Sequence, residues 1–278
     1  MTTLDELAPP VDFLDLAGFR MAYREWGSPR ATDAVVLIHG ITSSSLSWLR
    51  VAPALADRVR VVAMDLKGHG DSDRPTTGYQ LADQAREVDA LCEALGLGQP
   101  SVIGHSWGGA VALILATSTP RVRRLVLEDP AIGQRDPDPA ERAARRDGYV
   151  ASVGLTPEAA TAQVRANVPP GWTELDVAGK IDAVVKTSPQ AVRAVFDANP
   201  GWDLHDLLPR LTCPTLLLRA PNSQGGIVDP EAVRLAEANP HVRVVTLAEA
   251  DHNIHRGQFG AFMAEVEAFL PSPSADYD

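Results

Sequence analysis

The sequence predicts an α/β protein: a mostly parallel, twisted, eight-stranded sheet with helices on both faces and a helical insertion. Three observations carry this. Short runs rich in Val, Ile and Leu alternate with amphipathic helical patterns, the order that builds a parallel sheet covered on both sides. One strand-to-helix junction, "VIGHSWGGAV" (Val102 to Val111), pinches a single serine between glycines. The alternation then stops after Ala131 and resumes only near Leu208.

In chain order, the first 26 residues offer two weaker strands, around Val11 to Leu16 and Phe19 to Trp26, read as an antiparallel start. "AVVLIHG" from Ala34, "VRVVAMD" from Val59, "PSVIGHS" from Pro100, "VRRLVLED" from Val122, "PTLLLRA" from Pro214 and "VRVVTL" from Val242 read as buried strands, too short for helices. Leu81, Ala85, Val88, Leu91, Cys92 and Leu95 fall on one helical face, as do Phe259, Phe262, Met263, Val266, Phe269 and Leu270. Between Ala131 and Leu208 the chain is helical, charged and punctuated by proline, with "QRDPDPAERAARRDGYV" and "VPPGWTELD" and no convincing buried strand. The expected organisation is one core domain in two parts, 1–130 and 209–278, with residues 131–208 inserted as a helical cap. The tail "PSPSADYD" is expected to fray.

With 278 residues, 45% hydrophobic and 22% charged, the chain has enough material for one large core. Its net charge of -11, without a basic block, disfavours nucleic acid as a partner. No run of 18 apolar residues and no charged start leading into an apolar stretch is present, so neither a membrane span nor a secretory leader is expected. Cys92 and Cys213 are expected to be free, buried thiols, which suits a cytoplasmic protein. A homo-oligomer is left open.

Gly104-His105-Ser106-Trp107-Gly108 fits G-x-S-x-G, the nucleophile elbow. A serine on so sharp a turn projects its hydroxyl above the sheet, and small flanking residues let the next helix pass close to the strand. The Trp107 amide then lies at a helix N-terminus, where negative charge is favoured. The alternative is a glycine-rich turn without chemistry. "IHGITSSSLSW" (Ile38 to Trp48) follows an earlier strand and places the Ile41 amide near the same sheet edge, where it can serve as a second oxyanion donor. His39 reads as a loop-fixing hydrogen-bonder rather than a catalyst.

These residues resemble the α/β-hydrolase superfamily. "MDLKGHGDSDRP" (Met64 to Pro75), "GHSWGG" (Gly104 to Gly109) and "ADHNIHR" (Ala250 to Arg256) stand in that family's order. The resemblance implies a structural role for Asp65, Gly68, His69, Gly70 and Ser72. It also places the general base at His252, after the final strand, with His255 a rim or helix-start residue. The family's usual acid follows the "PTLLLRA" strand, but here Ser223 takes that place and the next acid is Asp229, which reads as a helix N-cap before Pro230. Some members take the acid one strand earlier. "RLVLEDPA" ends in Glu128 and Asp129, which must point to opposite faces. Asp129 is the first choice; Asp229 and Glu128 stay open.

The implied chemistry is a serine hydrolase working through an acyl-enzyme on a small-molecule ester, lactone or related acyl bond, with Ser106, His252 and Asp129 as the triad and Ile41 and Trp107 as the oxyanion hole. Serine at position 106 argues against dehalogenase and epoxide-hydrolase chemistry, which needs a carboxylate nucleophile. C–C bond hydrolysis of ring-cleavage diketones, cofactor-free perhydrolysis and a ligand-binding receptor on the same fold remain alternatives. Trp48 is expected to line the substrate pocket, with Trp107 and either Trp172 or Trp202 as further candidates. No cofactor and no metal is expected, because the chain lacks H-E-x-x-H, clustered Cys/His ligands, G-x-G-x-x-G and a P-loop lysine.

Overall fold

The computed structural model describes Leu4 and residues 8–16, 18–133 and 138–270. The strands are β1 (Asp12–Leu16), β2 (Phe19–Trp26), β3 (Ala34–Ile38), β4 (Arg60–Met64), β5 (Ser101–His105), β6 (Arg124–Glu128), β7 (Thr215–Arg219) and β8 (Val242–Thr246). They form one sheet in the order β1-β2-β4-β3-β5-β6-β7-β8. β1 and β2 form an antiparallel hairpin, and β2 runs antiparallel to β4. All later pairings are parallel. The expected tail, residues 271–278, and residues 134–137 at the head of the insertion lie outside the described residues.

Every residue of β3 is buried, as its unbroken apolar run requires. Its side chains divide by the period of two: Val36 and Ile38 join the core on one face, Val35 and Leu37 the core on the other. The first core is covered by α2 (Leu81–Ala94) and α3 (Trp107–Ser118), the second by α1 (Val51–Ala56) and the C-terminal α10 (Phe259–Phe269). α2 buries Leu81, Ala85, Val88, Leu91 and Cys92, the face its spacing predicts. The two cysteines are free; Cys92 is buried and Cys213 only half-buried.

Between β6 and β7 lie α4 (Pro139–Ala151), α5 (Pro157–Arg165), α6 (Glu174–Lys186) and α7 (Pro189–Ala198), and no sheet strand among the described residues. The prolines that punctuate this stretch start helices. Pro139, Pro157 and Pro189 stand in first turns behind the N-caps Asp138, Thr156 and Ser188, and Thr173 caps α6 in a reciprocal box with Asp176. α8 (Pro230–Glu237) follows β7, and the short α9 (Ile254–Gly257) precedes α10.

From β3 the chain crosses outward to β4, then returns to lay β5 on the other side of β3. The β3–β5 boundary is therefore the point where the winding reverses, and a crevice opens there beyond the carboxyl ends of the strands. The segments after β3, β5, β6 and β8 all emerge at that edge.

Candidate active site

β5 hands over to α3 at Ser106, whose φ of 53° and ψ of -116° are rare for a residue with a Cβ. Two glycines make the turn possible. A Cβ on Gly104 would stand 2.4 Å from the Gly108 carbonyl oxygen, and one on Gly108 would stand 2.3 Å from that of Ile38. Ser106 is thereby raised above the sheet edge, its amide donating to the Glu128 carbonyl (2.9 Å).

The Ser106 hydroxyl meets Nε2 of His252 at 2.9 Å, and Nδ1 of the same ring donates to Oδ2 of Asp129 at 2.7 Å. A carboxylate only accepts, so the Nδ1 proton leaves Nε2 free to take one from the serine. Asp129 is fully buried and accepts a second bond from the Ile227 amide (3.0 Å), which orients it. His252 is held from behind: His105 Nε2–H donates to its carbonyl at 2.9 Å, and the two rings lie 4.8 Å apart. Burial holds His105 well below the ordinary imidazole pKa, hence neutral.

Glu128 points to the other face and takes both the His255 amide (2.9 Å) and the His255 ring (2.8 Å). Burial raises the Glu128 carboxyl and lowers the His255 imidazole, so both are driven toward their neutral forms. His255 rests on Trp48, with ring centroids 4.6 Å apart. Metal-capable atoms of His105, Glu128 and His255 lie within 4.8 Å of one another, and both Glu128 oxygens already face the His255 ring. Asp229 caps α8 by accepting from the Ala232 amide (2.9 Å) and also meets His205 Nε2 (3.0 Å).

The loop after β3 closes the other side. A Cβ on Gly40 would be 3.1 Å from Cβ of Ser106. His39 Nδ1–H donates to the Gly40 carbonyl (2.8 Å), its Nε2 accepts from the Leu66 amide (3.0 Å), and burial lowers its pKa to about 4. Asp65 accepts from the Ser45 and Asp71 amides at 2.6 and 2.9 Å. Among the described residues neither the Ile41 nor the Trp107 amide donates to a protein acceptor.

A cavity of about 460 Å³ opens on Ser106 and His252. Its walls include Ile41, Trp107, Tyr149, Phe196, Trp202 and Arg145. A cleft of about 410 Å³ beside the β1–β2 hairpin and α2 contains none of the row. The expectation for Trp48 is corrected: it is fully buried in the core that α1 and α10 cover, outside the cavity lining. Trp172 is also elsewhere, stacked under the Arg256 guanidinium at 4.4 Å. Arg145, Tyr149 and Phe196 were missed from sequence. Helical periodicity marks a face but not what that face covers.

The sequence model of the alpha/beta hydrolase fold family matches residues 33–256, and the chain belongs to that family. N-formylmaleamate deformylase of Pseudomonas putida is 28% identical over 92% of this chain and 94% of its own. A solved hydrolase from Pseudomonas aeruginosa superposes with a TM-score of 0.77 at 27% identity, covering 94% of this chain and 98% of its own. The crystal structure of E-2-(acetamidomethylene)succinate hydrolase shares the fold at a TM-score of 0.80 and 23% identity, covering 94% and 98% of the two chains. No helix among the described residues is long and apolar enough to cross a membrane.

Proposed function

We propose that this hydrolase cleaves a small-molecule acyl bond, an ester, a lactone or an N-acyl group, through a covalent intermediate on Ser106. The observation that carries the reading is the unbroken Asp129–His252–Ser106 row opening on the cavity. His252 takes the serine proton as Oγ attacks the acyl carbon, and Asp129 steadies the imidazolium without taking the proton. The Ile41 and Trp107 amides receive the oxyanion. The alcohol or amine leaves with the proton from His252, and water repeats the cycle to release the acid.

Residues 131–208 act as the cap in this reading: α4 brings Arg145 and Tyr149, and α7 brings Phe196, over the nucleophile. Aromatic walls suit a planar or apolar acyl compound, and the Arg145 guanidinium suits one that carries a carboxylate. The names of the relatives point the same way, since N-formylmaleamate and (acetamidomethylene)succinate are N-acyl compounds with carboxylates. The test is a panel of esters, lactones, N-acyl amides and diketones assayed beside Ser106→Ala, with a fluorophosphonate label mapped by mass spectrometry. Turnover that survives in Ser106→Ala, or a label on another residue, would overturn the proposal. Binding without turnover would favour the receptor reading.

A further inference from the structure

The turn that carries the Ile41 amide is built on an awkward residue. The Ser43 amide closes it onto the Gly40 carbonyl at 3.2 Å, and its third residue, Thr42, has φ of 62°. Turns of this shape ordinarily put glycine there, because a Cβ crowds the backbone and a β-branched side chain does so most. Something must hold Thr42 in place.

What holds it comes from the insertion. Lys180, on α6, directs its ammonium to both oxygens of Thr42, 2.7 Å from the carbonyl and 3.0 Å from the hydroxyl. The Thr42 amide faces Nε2 of His69 at 3.4 Å. All three polar groups of Thr42 are thus engaged, two of them by one cation. The helix gets close enough because the residue before Lys180 is Gly179, where a Cβ would stand 3.0 Å from the Leu46 carbonyl oxygen. One turn earlier Asp176 pairs with Arg50 at 2.9 Å, docking α6 on the same loop.

We propose that Lys180 is a positioning residue: by clamping Thr42 it holds the Gly40–Ile41 peptide so that the Ile41 amide faces Ser106, and the cap thereby completes the oxyanion hole. This rests on the reading of the Ile41 amide as an oxyanion donor. The same peptide's carbonyl, on Gly40, is pinned by His39 and Ser43, so the plane is held from both ends. The charged and titratable groups that interact with the ammonium are Arg256 on α9 and the imidazoles of His39 and His69. Burial keeps the two imidazoles neutral, at about 4 and about 3. Burial, aided by Arg256, lowers Lys180 to about 7.

The test uses the full chain with p-nitrophenyl acetate as substrate and phenylboronic acid as a tetrahedral mimic. Lys180→Met is expected to lower kcat by about 10- to 100-fold, less than or near the cost of deleting an oxyanion donor. KM should stay within about threefold, and the boronate should bind more weakly by the same factor as kcat falls. Lys180→Arg, which keeps a cation and its donors, should retain kcat within about fivefold at neutral pH. In the wild type, kcat should fall as pH rises through the titration of Lys180, and Lys180→Arg should move that limb to higher pH. This last comparison needs only the arginine variant to fold. Unchanged kcat and boronate affinity in Lys180→Met, a loss confined to KM, or identical alkaline limbs would overturn the proposal. An active Ser106→Ala breaks the underlying reading instead. An inactive Ser106→Ala beside a fully active Lys180→Met breaks only this one.

Discussion

Two consecutive residues at the end of β6 each hold a histidine, and the two pairs look alike. Asp129 meets His252 at 2.7 Å and Glu128 meets His255 at 2.8 Å, through Nδ1 in both cases. Both carboxyl groups are fully buried. The pairs part company on the far side of each ring. His252 is 28% exposed and its Nε2 meets a serine hydroxyl at a cavity, whereas His255 is 1% exposed and its Nε2 meets no partner among the described residues. A histidine–carboxylate pair is therefore not chemistry by itself. Access and a third group decide: Glu128 is the last residue of β6, whereas Asp129 follows it with a left-handed φ of 38°, and the two neighbouring carboxyls reach different rings.

The comparison breaks most decisively at Asp129. Asp129→Asn keeps the shape but favours the wrong imidazole tautomer, so kcat for an activated ester should fall by about 10³- to 10⁴-fold, the scale seen when a serine protease triad loses its acid. Circular dichroism should show the fold intact. A loss under tenfold would move the acid's role away from Asp129.

The Glu128 pair should answer in stability rather than turnover. Glu128→Ala strands the His255 amide and ring and leaves a void, at a cost of about 3 kcal/mol in urea unfolding. Glu128→Gln imitates the neutral carboxyl that burial favours and should cost about 1 kcal/mol. Both variants should keep kcat within about tenfold. Equal costs for the two would mean that Glu128 is ionised.

A pH series sharpens the contrast further. Burial depresses His255, so the folded protein keeps it neutral while the unfolded chain protonates it below about pH 6.5. The stability this ring confers is present above that pH and is lost as pH falls, by at most about 1.4 kcal/mol per unit. His255→Phe lacks this loss, so its destabilisation relative to wild type should shrink between pH 7.5 and 5.5. A difference that stays constant would place the titration elsewhere. The smallest effect belongs to the third carboxylate, Asp229. Asp229→Ala should cost about 1 kcal/mol through the lost cap of α8, with kcat unchanged within twofold.

Much of this layout was legible in the sequence because strand ends announce themselves. Ser106 sits where an apolar run meets glycine and then helix, Asp129 where "RLVLE" runs out before Pro130, and His252 shortly after β8. In a parallel sheet these ends share one edge, and the structure brings the three side chains together there. Trp48 was misread because an indole after a polar loop looks the same whether it lines a cavity or fills a core; only the packing of His255 and α10 behind it separates the two. Lys180 was illegible for a similar reason. A lysine on an amphipathic helix reads as solvated, and its contact with Thr42 spans 138 positions of chain.

Because the carboxylate facing His252 is supplied by the residue that follows β6, the loop after β7 contributes no side chain to the row. Its ties to that row are the Ala220 and Ile227 amides on Asp129, bonds that any residue except proline provides. Yet Gly225 and Ile227 border the cavity. Here, then, is a stretch whose composition is nearly unconstrained by the Asp129–His252–Ser106 row while its bulk shapes what reaches Ser106. Randomising Ser223, Gln224 and Ile227, with Gly225 and Gly226 retained for their tight turn, is the natural library for steering this protein toward new substrates.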